Sequence, residues 1–363
     1  MRVFVYDTTL RDGTQGENVS FSVNDKLSIA RKLDELGIDY IEGGWPGSNP
    51  RDEDFFERAK TELNLKHARL AAFGSTRHVA NKPEDDDNVQ KLVGSETPVV
   101  TIFGKSWSLH TERALRVTEE QNQQMISSTV GYLKTMGREV IYDAEHFFDG
   151  YESSRDFAMR TLEAAQTAGA DALVLCDTNG GTLTARLAEI VEDVRKHFDG
   201  VVGIHTHNDS ELAVANAITA VELGATHVQG TMNGYGERCG NCNLFPVLCN
   251  LELKLGHTTI GRGNVANLTG FANYIADMAN LQLANGAAFV GKSAFAHKGG
   301  IHVSAVLRDA STYEHVEPET VGNERRVLVS DLSGRSNINF KLTSTRLGVA
   351  GPSHSPESEN SSR

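Results

Sequence analysis

The chain has 363 residues, 39% hydrophobic and 23% charged, with a formal net charge of −13 and a pI of about 5.5. This composition supplies ample material for a globular core. An acidic surface repels phosphate backbones, so nucleic acid is not an expected partner.

Met1-Arg2-Val3-Phe4-Val5-Tyr6-Asp7 enters a strand pattern at once and has no signal-peptide character. No run approaches the length of a membrane span, so no membrane partner is expected. Cys176, Cys239, Cys242 and Cys249 make no disulfide framework for a chain this long. Reduced thiols and a cytoplasmic location are expected.

Eight short apolar runs read as strands: Val3–Tyr6, Tyr40–Glu42, Arg69–Phe73, Val99–Phe103, Val140–Asp143, Ala172–Cys176, Val202–His205 and His227–Gly230. Amphipathic stretches lie between them: Asn24–Leu36, Thr118–Met136, Ser154–Ala168, Thr182–His197 and Glu211–Leu223. Gly37, Gly169 and Gly224 stand just past three of these, where a helix stops. Glu84-Asp85-Asp86-Asp87 reads as a solvated charge run. Eight βα units argue for a parallel sheet closed into a TIM (β/α)8 barrel, the catalytic domain over residues 1–260. A rival open sheet lacks its Gly-x-Gly-x-x-Gly turn after the first strand. Residues 261–340 read as a small appended α-rich subdomain. It holds a helix at Val265–Leu283, a Gly- and His-bearing segment at Ala294–Val306, and a loop or short helix at Glu314–Arg326. The polar tail, 341–363, reads as disordered.

The active site of a TIM barrel lies at the C-terminal ends of its strands. The residues that follow the strands are Asp7, Arg11, Asp12, Glu42, Lys105, His110, Asp143, Glu145, Asp177, Thr178, His205, His207, Asn233, Glu237 and Asn241. So many polar groups on one rim are costly for a frame that only holds itself up. His205 and His207 alternate at a strand end and face one side. With the Asp12 carboxylate and the Asn241 amide they suit a divalent cation. Arg11 beside such a cation suits an oxygen on which negative charge develops. Glu145 is a candidate proton donor or acceptor. Cys239-Gly240-Asn241-Cys242 contains a Cys-x-x-Cys without a second pair, and reads as a loop feature. His297 and His302, taken as lone histidines, read as structural.

Taken together, these residues resemble the acyl-CoA-condensing family of isopropylmalate, homocitrate and citramalate synthases, related to the hydroxymethylglutaryl-CoA lyases. Leu10-Arg11-Asp12-Gly13-x-Gln15 with Lys26 is similar to the family's first signature, and His205-Thr206-His207-Asn208-Asp209 to its second. Gly234-Tyr235-Gly236-Glu237-Arg238-Cys239-Gly240-Asn241 is similar to a third. Tyr40–Pro50, Tyr142–Gly150 and Ser293–His302 resemble the citramalate synthase branch. The resemblance runs from Val3 to Ile338.

It implies a homodimer that condenses acetyl-CoA with a 2-oxo acid, pyruvate in this branch, and hydrolyses the thioester. It assigns a divalent cation (Mn, Mg or Zn) to Asp12, His205, His207 and Asn241. Arg11, Thr178 and Asp143 are assigned to the substrate, and Arg11, Glu145, His302 and Tyr313 to catalysis. Glu211 and Asp143 depart from the isopropylmalate pattern and point to another 2-oxo-acid pocket. Other 2-oxo acids, a lyase running in reverse, and a substrate-binding form without turnover remain alternatives. The family's regulatory domain, and with it feedback by isoleucine, is expected to be absent.

Overall fold

A computed structural model describes residues 1–328, and the segment read as a disordered tail lies outside them. Eight parallel strands close a barrel in sequential order. They are β1 (Phe4–Asp7), β2 (Tyr40–Gly44), β3 (Arg69–Ser75), β4 (Val99–Lys105), β5 (Glu139–Glu145), β6 (Ala172–Asp177), β7 (Val201–Thr206) and β8 (His227–Gly230). The seam pairs β1 with β8, from Phe4 opposite His227 to Asp7 opposite Gly230. Every expected strand is present. β4 and β5 run two residues further toward the C-terminal rim than their apolar runs, because Lys105 and Glu145 pair there in register. Helices cover the outside while side chains fill the inside, so Val140, Ile141 and Tyr142 in succession are all buried.

The helices start where the chain supplies caps. Ser22 accepts from Asp25 N while Asp25 accepts from Ser22 N, a reciprocal box that opens the helix Val23–Leu36. Thr118 and Gln121 do the same for Glu119–Thr135. The helices not legible beforehand include Pro50–Glu62 and Asp87–Gly94. The second corrects the reading of the acidic run. Asp86 is buried, caps that helix by accepting from Val89 N, and also accepts from His78 N. Glu84 and Asp85 are exposed as expected.

The stretch expected as one helix over Val265–Leu283 is two pieces, Arg262–Val265 and Leu268–Met278, parted at Ala266-Asn267. The second piece packs on the barrel: Asn233 Nδ2 donates to Ala272 O at 3.0 Å, and Phe271 meets Phe245. Beyond it the elements are small. Ala296–His297 pairs with Arg326–Val327, and the helix Gly300–Val306 is followed by single turns at Ala310–Thr312 and Pro318–Val321. Among the described residues no helix is long and apolar enough to cross a membrane.

Candidate active site

The site is built on a polar layer inside the barrel. Tyr6 is the inward residue of β1, and its hydroxyl donates to Glu42 Oε1 at 2.7 Å and meets Thr101 Oγ1 at 2.7 Å. Glu42 Oε2 accepts from Arg11 Nε at 2.6 Å. Burial and the neighbouring Asp12 push the Glu42 carboxyl up, while Arg11 pulls it down. Arg11 also pairs with Asp12, and its guanidinium carbon lies 3.7 Å from the centre of the Phe73 ring. Two carboxylates and an aromatic face therefore hold Arg11 in one orientation, with its charge firmly retained.

β2 is held in turn by a buried pair beneath its loop. Lys26 Nζ donates to Gly43 O at 3.0 Å and pairs with Asp52. Asp52 accepts from Trp45 N at 2.9 Å. Gly44 has φ +143°, and a Cβ there would stand 2.5 Å from the Asp52 carboxylate. Only glycine allows this approach. Trp45, Phe73 and Phe103 pack edge-to-face and stacked to form one apolar wall of the cavity.

Above this layer lies a cavity of about 230 Å³. Arg11, Asp12, His205 and His207 line one side, and Asp143, Glu145 and Thr178 another. Asn241 arrives because the loop after β8 returns to pair with the end of β7, so that His207 and Asn241 form an antiparallel bridge. A Cβ on Gly236 would collide with Asn241 Oδ1, so the loop's glycine makes room for the amide.

The four proposed ligands converge. His205 Nε2 is 3.3 Å from His207 Nε2 and 3.6 Å from Asp12 Oδ2. Asn241 Nδ2 is 3.2 Å from His205 Nε2 and 3.3 Å from Asp12 Oδ2, while Asn241 Oδ1 is buried without a partner. Ligands about 2.0–2.2 Å from a cation lie about 3 Å from one another, a distance that the 3.3 Å between the two imidazole nitrogens approaches. The orphaned amide oxygen is the atom such a cation would satisfy.

No group of three or more His, Cys, Asp or Glu side chains is already closed around such a point among the described residues. Closing it requires the Asn241 amide to turn. His207 must also change. Arg238 donates to its Nδ1 at 2.9 Å, which leaves the hydrogen of the neutral ring on Nε2, facing His205. Burial and His205 push His207 down to about 3, so the ring is neutral. Burial works against the Asp12 charge, but Arg11 and both histidines hold that carboxyl below its usual range.

Glu145 reaches the cavity from the end of β5 and pairs with Lys105. Thr178 lies half-buried at the mouth, where its Oγ1 accepts from His146 N at 2.9 Å. Asp143 lines the cavity floor, with Oδ1 taken by Gln229 Nε2 at 2.9 Å. Burial and Glu42 push the Asp143 carboxyl well above its usual range. His302 and Tyr313 stack on each other with centroids 4.2 Å apart, but neither lines the cavity. His297 is held by buried Glu314. Cys239 is exposed and Cys242 buried, and both are free thiols.

Tyr6, Trp45, Phe73, Thr101, Phe103 and Gln229 had not been picked out from the sequence. For Thr101 a signal existed, a polar residue inside the apolar run Val99–Phe103, whereas Gln229 shares its four-residue strand with a second polar residue, His227.

A model of the HMGL-like family matches residues 2–271, and one described as homocitrate synthase post-HMGL domain-like matches residues 289–353. The chain belongs to the HMGL-like family. It is 56% identical to the (R)-citramalate synthase of Aquifex aeolicus over 357 residues, 98% of this chain and 67% of that protein. The (R)-citramalate synthase of Geobacter sulfurreducens is 56% identical over 336 residues, 93% of this chain and 63% of that protein. A homocitrate synthase of Methanopyrus kandleri is 35% identical over 349 residues, 96% of this chain and 83% of that protein. The chain thus spans about two thirds of the length of these citramalate synthases. Among solved structures, the HMG-CoA lyase of Bacillus subtilis superposes with a TM-score of 0.67 at 20% identity, covering 78% of this chain and 95% of that one. An Acinetobacter baumannii HMG-CoA lyase gives 0.63 at 17% identity, covering 78% and 92%. At these identities the likeness concerns the fold.

Proposed function

We propose that the chain is the condensing part of an (R)-citramalate synthase, which joins the acetyl group of acetyl-CoA to pyruvate and releases citramalate and free CoA. The observation that carries this reading is the gathering of Arg11, Asp12, His205, His207 and Asn241 on one cavity, in a chain 56% identical to named (R)-citramalate synthases.

Asp12, His205, His207 and Asn241 would hold a divalent cation (Mn, Mg or Zn), which would supply Lewis-acid polarisation of the 2-oxo acid. Arg11, fixed by Glu42 and Phe73, directs its charge into the cavity, where the keto oxygen gains negative charge as the new carbon–carbon bond forms. Thr178 and Asp143 position the substrate, and the wall of Trp45, Phe73 and Phe103 excludes water from its methyl side. Glu145 moves a proton within the cavity, with Lys105 holding its carboxylate. His302 and Tyr313 act as a stacked pair on the acetyl methyl, which requires the subdomain of one copy to reach a barrel, its own or its partner's, in a homodimer. The free thiols and acidic charge suit the cytoplasm.

The test is CoA release from acetyl-CoA and Mn²⁺ across pyruvate, 2-oxoisovalerate and 2-oxoglutarate. Release is expected with pyruvate, falling by about 100-fold or more in Asp12→Ala as the cation is lost. Turnover with another acid but not pyruvate would move the chain to a homocitrate or isopropylmalate synthase. A second outcome, binding of Mn²⁺ and pyruvate without turnover, would make the chain a substrate-binding form instead.

A further inference from the structure

Gln229 is fully buried and has no part in the chemistry above. The register of β7 and β8 sets it directly opposite His205. Its amide meets three side chains. Oε1 lies 2.7 Å from His205 Nδ1, while Nε2 lies 2.9 Å from Asp143 Oδ1 and 3.5 Å from His227 Nε2. An amide oxygen only accepts and an amide nitrogen only donates. With its nitrogen toward the Asp143 carboxylate, Gln229 must present its oxygen to His205. His205 Nδ1 then carries the hydrogen, and the lone pair of Nε2 faces Asp12, His207 and Asn241. Turned the other way, the amide would take its nitrogen off Asp143 Oδ1 and His227 Nε2 and point the His205 lone pair away from the site.

We propose that Gln229, oriented by Asp143, is a positioning residue that fixes the tautomer of His205 with Nε2 ready to bind a cation. The proposal rests on the reading of His205 as a cation ligand. It also gives Asp143 a structural duty besides lining the cavity: one of its oxygens is spent on Gln229. Partners that orient a ligating imidazole are commonly worth about 10- to 100-fold in cation affinity.

Two measurements on the full chain test it. In calorimetric titration with Mn²⁺, Gln229→Met is expected to bind about 10- to 100-fold more weakly than the parent. Parent-like affinity in that variant would overturn the proposal. Asp12→Ala, run alongside, separates the two readings: if it too binds Mn²⁺ like the parent, the cation assignment itself has failed. The second measurement reads the parent protein itself. The ¹⁵N shifts of the metal-free parent's imidazoles, with the His205 signal assigned by its loss in His205→Asn, are expected to show the hydrogen on Nδ1. A hydrogen on Nε2 would overturn the proposal whatever the titrations give.

Discussion

The barrel rim and the appended segment beyond residue 289 solve the same task, holding polar groups in place, in opposite ways. At the rim, Tyr6, Glu42, Arg11 and Asp12 form one chain of contacts, and Asp143, Gln229 and His205 another, almost all of it buried. Each group is oriented by a strand on one side and a partner on the other, so the site is preorganised before substrate arrives. In the segment, His302 sits on the short helix Gly300–Val306 and Tyr313 just past a single turn; Tyr313 is 47% exposed, and Ile301, beside His302 in the chain, is 81% exposed. The Glu314 clamp on His297 and Arg325 is one of the contacts that tie the segment down. Under the proposed function, the chemistry that needs fixed geometry falls on the barrel, and the step at the thioester falls on the more exposed segment.

The sharpest way to break this contrast is Arg11→Gln. If the rim works by aiming a fixed charge, turnover falls by about 10²–10³-fold. Mn²⁺ binding is expected to be no weaker than in the parent, because the substitution frees Asp12 from a competing cation. Steady-state CoA release and calorimetry together check this. Turnover within about threefold of the parent would remove Arg11 from the reaction.

A pair of glycine substitutions sharpens the contrast in stability. Gly44→Ala places a methyl 2.5 Å from Asp52 at φ +143°, under the loop that carries Trp45. It is expected to cost about 2–4 kcal/mol in urea unfolding. Gly299→Ala on the segment meets only His302 ring atoms at 3.7 Å or more. It is expected to stay within about 0.5 kcal/mol of the parent. Equal costs would show that the rim is no more tightly built than the segment.

The same contrast explains what the sequence made legible. Apolar runs buried on both faces are strong signals, so all eight strands were placed from the chain alone. Arg11, Asp12, His205 and His207 stood out because they are charged or ligating residues just past such runs. Asn241 was picked out as an amide past the last strand, but its place beside His207 depends on a return from β8 to β7. Gln229 and Thr101 were hidden because a polar residue inside a short strand looks like an interruption. Only closure of the barrel shows that it joins a layer. The helix at Asp87–Gly94 was hidden by its own cap, because Asp86 within an acidic run looks solvated until His78 and Val89 are seen to donate to it. The position of His302 and Tyr313 relative to the cavity was never in the local pattern, since it depends on how a lightly packed segment docks.

The last expected effect probes a part-buried ion pair of that segment. Glu314 has its side chain 1% exposed, accepts from Arg325 through both oxygens, and meets His297 Nε2 at 3.0 Å. Burial works against its charge, but Arg325 and His297 hold the carboxyl below its usual range. A depressed folded value means that the stabilisation is fully present above the unfolded value, about 4.3, and is lost as pH falls through the folded one. Glu314→Gln is therefore expected to loosen the segment by about 1–2 kcal/mol at neutral pH, discounted for the partial exposure of Arg325. The difference from the parent should shrink toward zero below about pH 4. Amide exchange of Gly300–Val306, read at several pH values in both proteins, measures it. A difference that persists unchanged into acid would mean that the clamp acts by shape and packing rather than by charge. The segment would then be held in the same manner as the rim, and the contrast between them would narrow to exposure alone.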